Sequence, residues 1–105
     1  MSRSRTITSA DWLHNPHAGE MLAGEFLGPL GLDVHALAQA IGVSAGALEA
    51  VIRGERPMDA ELDLRLARYF RMSEGFFLGL QSDYELLEAK RALNGKLDQI
   101  VPRAA

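Results

Sequence analysis

The sequence predicts an all-α domain of five helices with a flexible N-terminal arm, and three observations carry that prediction. Apolar residues recur at three- and four-residue spacing in one segment after another, with no strand-like alternation and no internal repeat. Capping residues precede those segments, and glycine or proline stops follow them. The chain has 105 residues, 48% hydrophobic and 24% charged, an ordinary globular balance and enough length to bury one modest core.

Residues 1–16 read as the arm: polar, carrying Arg3 and Arg5, and closing on the turn signal His14-Asn15-Pro16. Trp12 and Leu13 at its end are placed to fold back on the core or to meet a partner. The first helix is expected from about Ala18 to Leu27, with Met21, Leu22, Glu25 and Phe26 on one side and Gly28-Pro29 as its stop. Leu30-Gly31-Leu32 then forms a connector that tucks under the core. Asp33 stands in N-cap position for a short helix from about Val34 to Ile41. Gly42-Val43 makes a sharp turn, Ser44 caps a third helix to about Arg53, and Gly54 stops it, with Pro57 shortly after. Asp59 caps a fourth helix, about Ala60 to Arg71, in which Leu62, Leu66, Ala67, Tyr69 and Phe70 recur at helical spacing. Ser73 is placed to cap a long fifth helix, about Glu74 to Leu93, with Phe76, Phe77, Leu80, Tyr84 and Leu87 on one side and Asn94-Gly95 at its end. The domain proper is 17–94, and residues 95–105 form a tail containing Ile100-Val101.

Composition narrows the function classes. There is no cysteine, so a disulfide framework or thiolate metal site is excluded, which suits a reducing cytoplasm. Apolar runs are far shorter than a membrane span, and no signal-peptide core follows the basic start. A soluble cytoplasmic protein is expected. The net charge of −3 weighs mildly against nucleic acid unless positive charge is gathered on one face, and it suits a basic protein partner. Catalysis has little to rest on: there is no Gly-rich phosphate loop and no supported Ser/His/Asp order, so neither an enzyme nor a cofactor is expected. His14-x-x-His17 with Glu20 lacks a fourth ligand and reads as turn histidines rather than a metal site. Phe70, Phe76, Phe77 and Tyr84 read as core. Asp83, Glu85 and Glu88, beside Lys90 and Arg91, read as a solvated face with short-range ion pairs or, more sharply, as part of a dimer or partner surface.

The most informative stretch is 34–53. Two short helices crossing steeply need a small residue at their contact, a residue tolerant of positive φ at the corner, and apolar residues filling the wedge. Ala38, Gly42, and Leu37, Ile41, Val43, Leu48 and Val51 fill those positions together, which marks a helix-turn-helix.

That motif sits within an order of segments that resembles the HigA/VapI-type antitoxins of the Xre helix-turn-helix superfamily, over about His14 to Arg91. The segments are His17-Ala18-Gly19-Glu20-Met21-Leu22 with Glu25-Phe26-Leu27, Leu37-Ala38-x-x-Ile41-Gly42-Val43-Ser44, and Gly54-x-Arg56-Pro57. Leu64-Arg65-Leu66-Ala67-Arg68-x-Phe70 and Phe76-Phe77-Leu78-x-Leu80-Gln81-x-x-Tyr84-Glu85-Leu86 complete the set. Where the family usually reads His-Pro-Gly-Glu, Ala18 replaces the proline. The resemblance implies a lambda-repressor-like five-helix domain that forms a homodimer, binds a palindromic operator DNA in its own promoter, and silences a cognate RelE-like ribonuclease toxin.

The departures fall on the surface that should read DNA. By position the recognition residues are Ser44, Ala45, Gly46, Ala47 and Glu49, where base readers are normally polar or basic. Ser44 offers one hydroxyl, Ala45 and Ala47 can touch only a thymine methyl, Glu49 repels phosphates, and Gly46 weakens the helix by roughly 1 kcal/mol relative to Ala. No residue before Arg53 can donate a bidentate base contact, so operator specificity is expected to be weak and carried by backbone contacts. Candidate phosphate partners are Arg53, Arg56, His35, Arg3 and Arg5, and the amides opening the second helix. Arg65 and Arg68 are expected to pair with Glu61 or Asp63 instead. The arm and first helix are the toxin-contact candidates, and the dimer surface lies at the arm or the C-terminal helix. Two other functions remain open: a stand-alone Xre-type transcriptional regulator, and a protein-binding module that has lost DNA recognition.

Overall fold

The computed structural model describes residues 13–104, and every regular element among them is helical. Arg3, Arg5 and Trp12 lie outside the described residues. The first helix is a continuous rod of three segments: α1 (Ala18–Leu22), a π-helical stretch (Ala23–Leu27) and α2 (Gly28–Leu30). It therefore runs through Gly28-Pro29, which the sequence reading takes as its stop. A proline inside an ordinary α-turn lacks the N–H for the i−4 carbonyl and crowds that carbonyl with its ring. The wider π turn shifts the bonding by one residue, as in the Gly28 N–H donated to the Ala23 carbonyl, and Pro29 falls in the first turn of α2. The rod ends instead at Gly31, left-handed at φ +60°, where the Leu32 N–H reaches the Leu27 carbonyl at 2.9 Å. Leu32 packs on the core, but Leu30 is 64% exposed, so only half of the expected connector tucks under.

α3 (Val34–Ile41) and α4 (Ala45–Ile52) form the helix-turn-helix. Asp33 Oδ2 accepts from the His35 and Ala36 N–H groups at 3.0 and 3.2 Å, and Ser44 Oγ accepts from the Ala47 N–H at 3.1 Å. Gly42 turns the corner at φ +76°, and the Val43 N–H closes onto the Ala38 carbonyl at 3.0 Å. Leu37, Ala38, Ile41, Leu48 and Val51 are all buried in the wedge between the two helices.

α5 (Ala60–Phe70) is capped by Asp59, whose Oδ1 accepts from the Leu62 N–H at 2.9 Å. It stops one residue short of the expected Arg71, because that residue takes the left-handed conformation at φ +59°. α6 (Phe76–Leu93) starts two residues later than expected, and Ser73 does not cap it. Asp63 of α5 does so instead: Oδ2 accepts from the Gly75 N–H at 2.7 Å and Oδ1 from the Leu78 N–H at 2.8 Å. Only 2% of Asp63 is exposed, so it is not the surface partner for Arg65 or Arg68 that its place in the sequence indicates.

Leu22, Leu37, Leu48, Leu66 and Phe77 are fully enclosed, each worth about 1.5–3 kcal/mol in apolar burial. The π stretch aims Phe26 into a ring cluster, with centroids 5.0 Å from Phe70 and 5.2 Å from Phe77. Phe76 departs from the expected core at 36% exposed, and Tyr69, placed at helical spacing in the sequence, is 43% exposed. Each neighbours an inward ring, and consecutive helical positions point too far apart for both to enter.

Of the segment expected as the arm, the described residues Leu13 and Asn15 are bonded to α6. Asn15 Nδ2 donates to the Tyr84 carbonyl at 3.0 Å and to Glu88 Oε2 at 3.1 Å, and an Arg91 guanidinium N–H donates to the Leu13 carbonyl. Within the tail, Lys96–Gln99 forms a 3-10 turn, and Ile100 and Val101 stay exposed.

Gly19 sets how α1 meets α4. A Cβ there would stand 1.9 Å from the Val51 carbonyl oxygen and 2.8 Å from the Ile52 Cα, both backbone atoms that cannot swing aside. Gly19→Ala is therefore expected to lower the unfolding free energy by about 3 kcal/mol in urea denaturation. Gly24→Ala, where a Cβ meets nothing within 4 Å, should leave stability unchanged or higher. Asp63→Ala strands two amides and should cost about 2–4 kcal/mol in the same measurement.

Candidate nucleic-acid interface

α4 is held from behind by α1 and α3, which leaves its opposite side to solvent. Ser44 and Gly46 are exposed, while Ala45, Ala47 and Glu49 are half-buried, and Ala45 packs against the core. The open face of α4 is thus a run of small side chains around Gly46, where a Cβ would meet nothing within 4 Å. Ser44 keeps its cap: Oγ accepts from the Ala47 N–H, which leaves its own hydroxyl proton to donate outward. Such a surface permits close backbone approach to a ligand but carries few groups that could discriminate one base from another.

Positive charge enters just past the helix. Arg53 donates Nε and Nη2 to the two Glu55 carboxylate oxygens, both at 3.2 Å. Hydrogen bonding and charge from Glu55, with a smaller contribution from Glu49, hold this guanidinium above its ordinary range. Its charge is largely answered within the protein. Arg56 differs, having no ion pair among the described residues. It stands on the ridge between two clefts. One, of about 120 Å³, runs along α4 past Ala47 and Val51 to Asp59 and Arg65. The other, of about 110 Å³, is closed by His17, Gly54, Pro57, Gln81 and Tyr84.

The remaining candidates are less available. His35 lies at the opening of α3 with Nδ1 3.7 Å from Asp33 Oδ2. The His35 and Ala36 amides proposed for a phosphate are already donated to that same carboxylate, which also repels an anion. Arg65 pairs with Glu61 at 3.1 Å, as expected, and its Nη1 further donates to the Ile41 carbonyl at 2.7 Å, clamping the end of α3. Arg68 makes no such pair among the described residues and borders a separate groove with Arg71 and Leu64. His14 and His17 do different work: His14 Nε2 meets Glu20 Oε2 at 2.6 Å, and His17 Nδ1 accepts from the Glu20 N–H at 3.2 Å as the cap of α1.

Two residues near Arg56, His17 and Gln81, have roles that the sequence reading does not assign. Gln81 is buried, with Oε1 accepting from the Met58 N–H at 3.4 Å and Nε2 donating to Glu85 at 2.8 Å. His17 packs its ring against Gly54 and forms a T-shaped pair with Tyr84, centroids 5.8 Å apart. For Gln81 the signal is in the chain: a polar residue four after Phe77, on the inward stripe of α6.

No protein-family model matches the chain. Individual relatives do. Virulence-associated protein I of Dichelobacter nodosus is 40% identical over 75 residues, covering 71% of this chain and 69% of the relative. An uncharacterised helix-turn-helix transcriptional regulator of Haemophilus influenzae is 30% identical over 86 residues, 80% of each. Among solved structures, a Pseudomonas aeruginosa protein crystallised with its 18-base-pair operator superposes with a TM-score of 0.81 at 36% identity, over 89% of this chain and 99% of that one. The Pseudomonas aeruginosa antitoxin HigA with the higBA promoter gives 0.77 at 34% identity, over 88% and 100%.

The open face at Gly46 yields a direct test. Gly46→Ala should raise stability by about 0.5–1 kcal/mol in thermal or urea denaturation, because a helical position gains a better former without a clash.

Proposed function

Because this chain belongs to the HigA/VapI-type antitoxins of the Xre helix-turn-helix superfamily, we propose that it binds operator DNA in its own promoter and neutralises a cognate toxin. Its relatives are antitoxins and transcription regulators, and it is not an enzyme. The proposal has a homodimer engaging a palindromic site, one α4 entering the major groove of each half. The toxin is a RelE-like ribonuclease, whose basic character suits a chain of net charge −3. The complex works in the cytoplasm, in keeping with the finding that no helix among the described residues is long and apolar enough to cross a membrane.

The observation that carries the DNA reading is the exposed α4 face beside Arg56, which no carboxylate among the described residues answers. In the bound state Ser44, Gly46 and Ala47 lie against base edges with Ala45 supporting them from the core side. Arg56, and Arg53 once it releases Glu55, meet phosphates, while Glu49 limits how closely α4 approaches them. His35 contributes weakly because Asp33 faces it. Such a reader holds DNA mainly by its backbone and discriminates poorly. That same scarcity of donors favours a second reading, a protein-binding module without DNA recognition. A stand-alone regulator, the third, differs only in lacking a toxin.

Mobility shifts with the chain's own upstream DNA across a salt series separate these. Binding should weaken with salt, and preference over a scrambled site should fall below the about 10³-fold lower end typical of specific binders. Arg56→Ala should flatten the salt slope by about one and weaken all sequences alike, whereas Glu55→Gln, by releasing Arg53, should strengthen binding. No binding at any salt concentration favours the protein-binding module. Co-purification of a small basic protein encoded beside this chain supports the antitoxin over the stand-alone regulator, and its absence favours the latter.

A further inference from the structure

We infer that His17 is a positioning residue for DNA binding, acting through Arg56 rather than by touching the DNA. The inference rests on the reading of Arg56 as a phosphate contact and deepens it.

The loop from α4 to α5 carries Arg56 and has little secondary structure of its own. Two left-handed or bonded points define it at the α4 end: Gly54 at φ +78°, and the Glu55 N–H donated to the Ala50 carbonyl at 2.9 Å. At the other end the Met58 N–H is taken by Gln81 of α6. Between them the loop rests on the His17 ring. A Cβ on Gly54 would fall 2.8 Å from His17 Nε2 and 3.1 Å from its Cδ2, so the ring lies directly against the bare Gly54 Cα. The Tyr84 ring packs on it in a T-shaped arrangement, and the Glu20 N–H bonded to Nδ1 fixes the imidazole's orientation. His17 is thus wedged between α1, α6 and the loop. Arg56 and Pro57 line the same cleft as its ring.

Capping α1 needs only one acceptor atom, which Asn, Asp or Ser would supply as well. An imidazole adds the Nε2–Cδ2 side of a rigid ring, which fills the space where a Gly54 Cβ would stand. Removing that ring enlarges the cleft of about 110 Å³ under the loop, so the backbone that carries Arg56 loses a support at Gly54. Geometry of this kind matters for a phosphate contact because the guanidinium must meet its oxygens with α4 already docked.

His17→Asn separates the two roles, since it retains a good cap and deletes the ring. Operator affinity and its salt dependence are read by fluorescence anisotropy, with thermal melts alongside, for wild type, His17→Asn, Arg56→Ala and the double variant. The inference predicts a near-native melting temperature for His17→Asn, affinity lower by about 10-fold, and a salt slope flatter by nearly one. It also predicts that the double variant binds no more weakly than Arg56→Ala alone. Tyr84→Leu, which frees the ring and leaves the cap untouched, should reproduce the same shift in smaller measure. If Arg56→Ala flattens the slope while His17→Asn and Tyr84→Leu keep the wild-type slope, the inference is overturned and the DNA reading stands. Additive losses in the double variant overturn it equally. If Arg56→Ala leaves the slope unchanged, the phosphate reading itself has failed.

Discussion

At Gly19 the backbone of the first helix lies against the backbone of α4 with no side chain between them, since even a methyl group would penetrate the Val51 carbonyl. Contact this close does more than bury area. It sets the height and tilt of α4 relative to a helix that also packs on α6, so the recognition segment is referenced to the whole bundle and not only to its partner in the helix-turn-helix. Gly42 and the Arg65 guanidinium then fix the opposite side, the first by turning the corner and the second by holding the Ile41 carbonyl. Between these points the wedge of Leu37, Ala38, Leu48 and Val51 has one way to close.

What α4 presents from that rigid seat is sparse. Small residues allow approach, yet the arginines around them are mostly engaged: Arg53 by Glu55 and Arg65 by Glu61. The exception sits in the following loop, and exposed ion pairs of this sort are worth little individually, so a polyanion with several phosphates can displace them. The acidic neighbours therefore tune affinity downward without forbidding it. The proposed weakly discriminating reader of DNA is physically coherent with this surface, and an interface that leans on placement more than on donor number depends strongly on what holds the loop.

How much of this was legible in the chain depends on the range of each interaction. Asp33, Ser44 and Asp59 cap the helices they precede, because capping links groups two or three residues apart and leaves a local signature. The glycine corner at 42 was legible for the same reason. Asp63 was not, since the amides it serves lie 12 and 15 residues away and its neighbours made it look like a surface ion-pair partner. The run of the first helix through Pro29 was hidden too: local rules give a stop, while the π turn that admits the proline also places Phe26 among Phe70 and Phe77, partners far along the chain. At the interface the sequence pointed to α4 and the arginines that follow it, but which arginine was answered by a carboxylate, and what supported the loop beneath, required tertiary geometry.

The most direct test of this account is amide chemical-shift mapping of the full chain titrated with its own upstream duplex. Perturbations concentrated at 44–49 and at 53–57, with the α5–α6 junction around Gly75 quiet, are the result this account predicts. Shifts confined to the tail or to α6, with α4 silent, would contradict it.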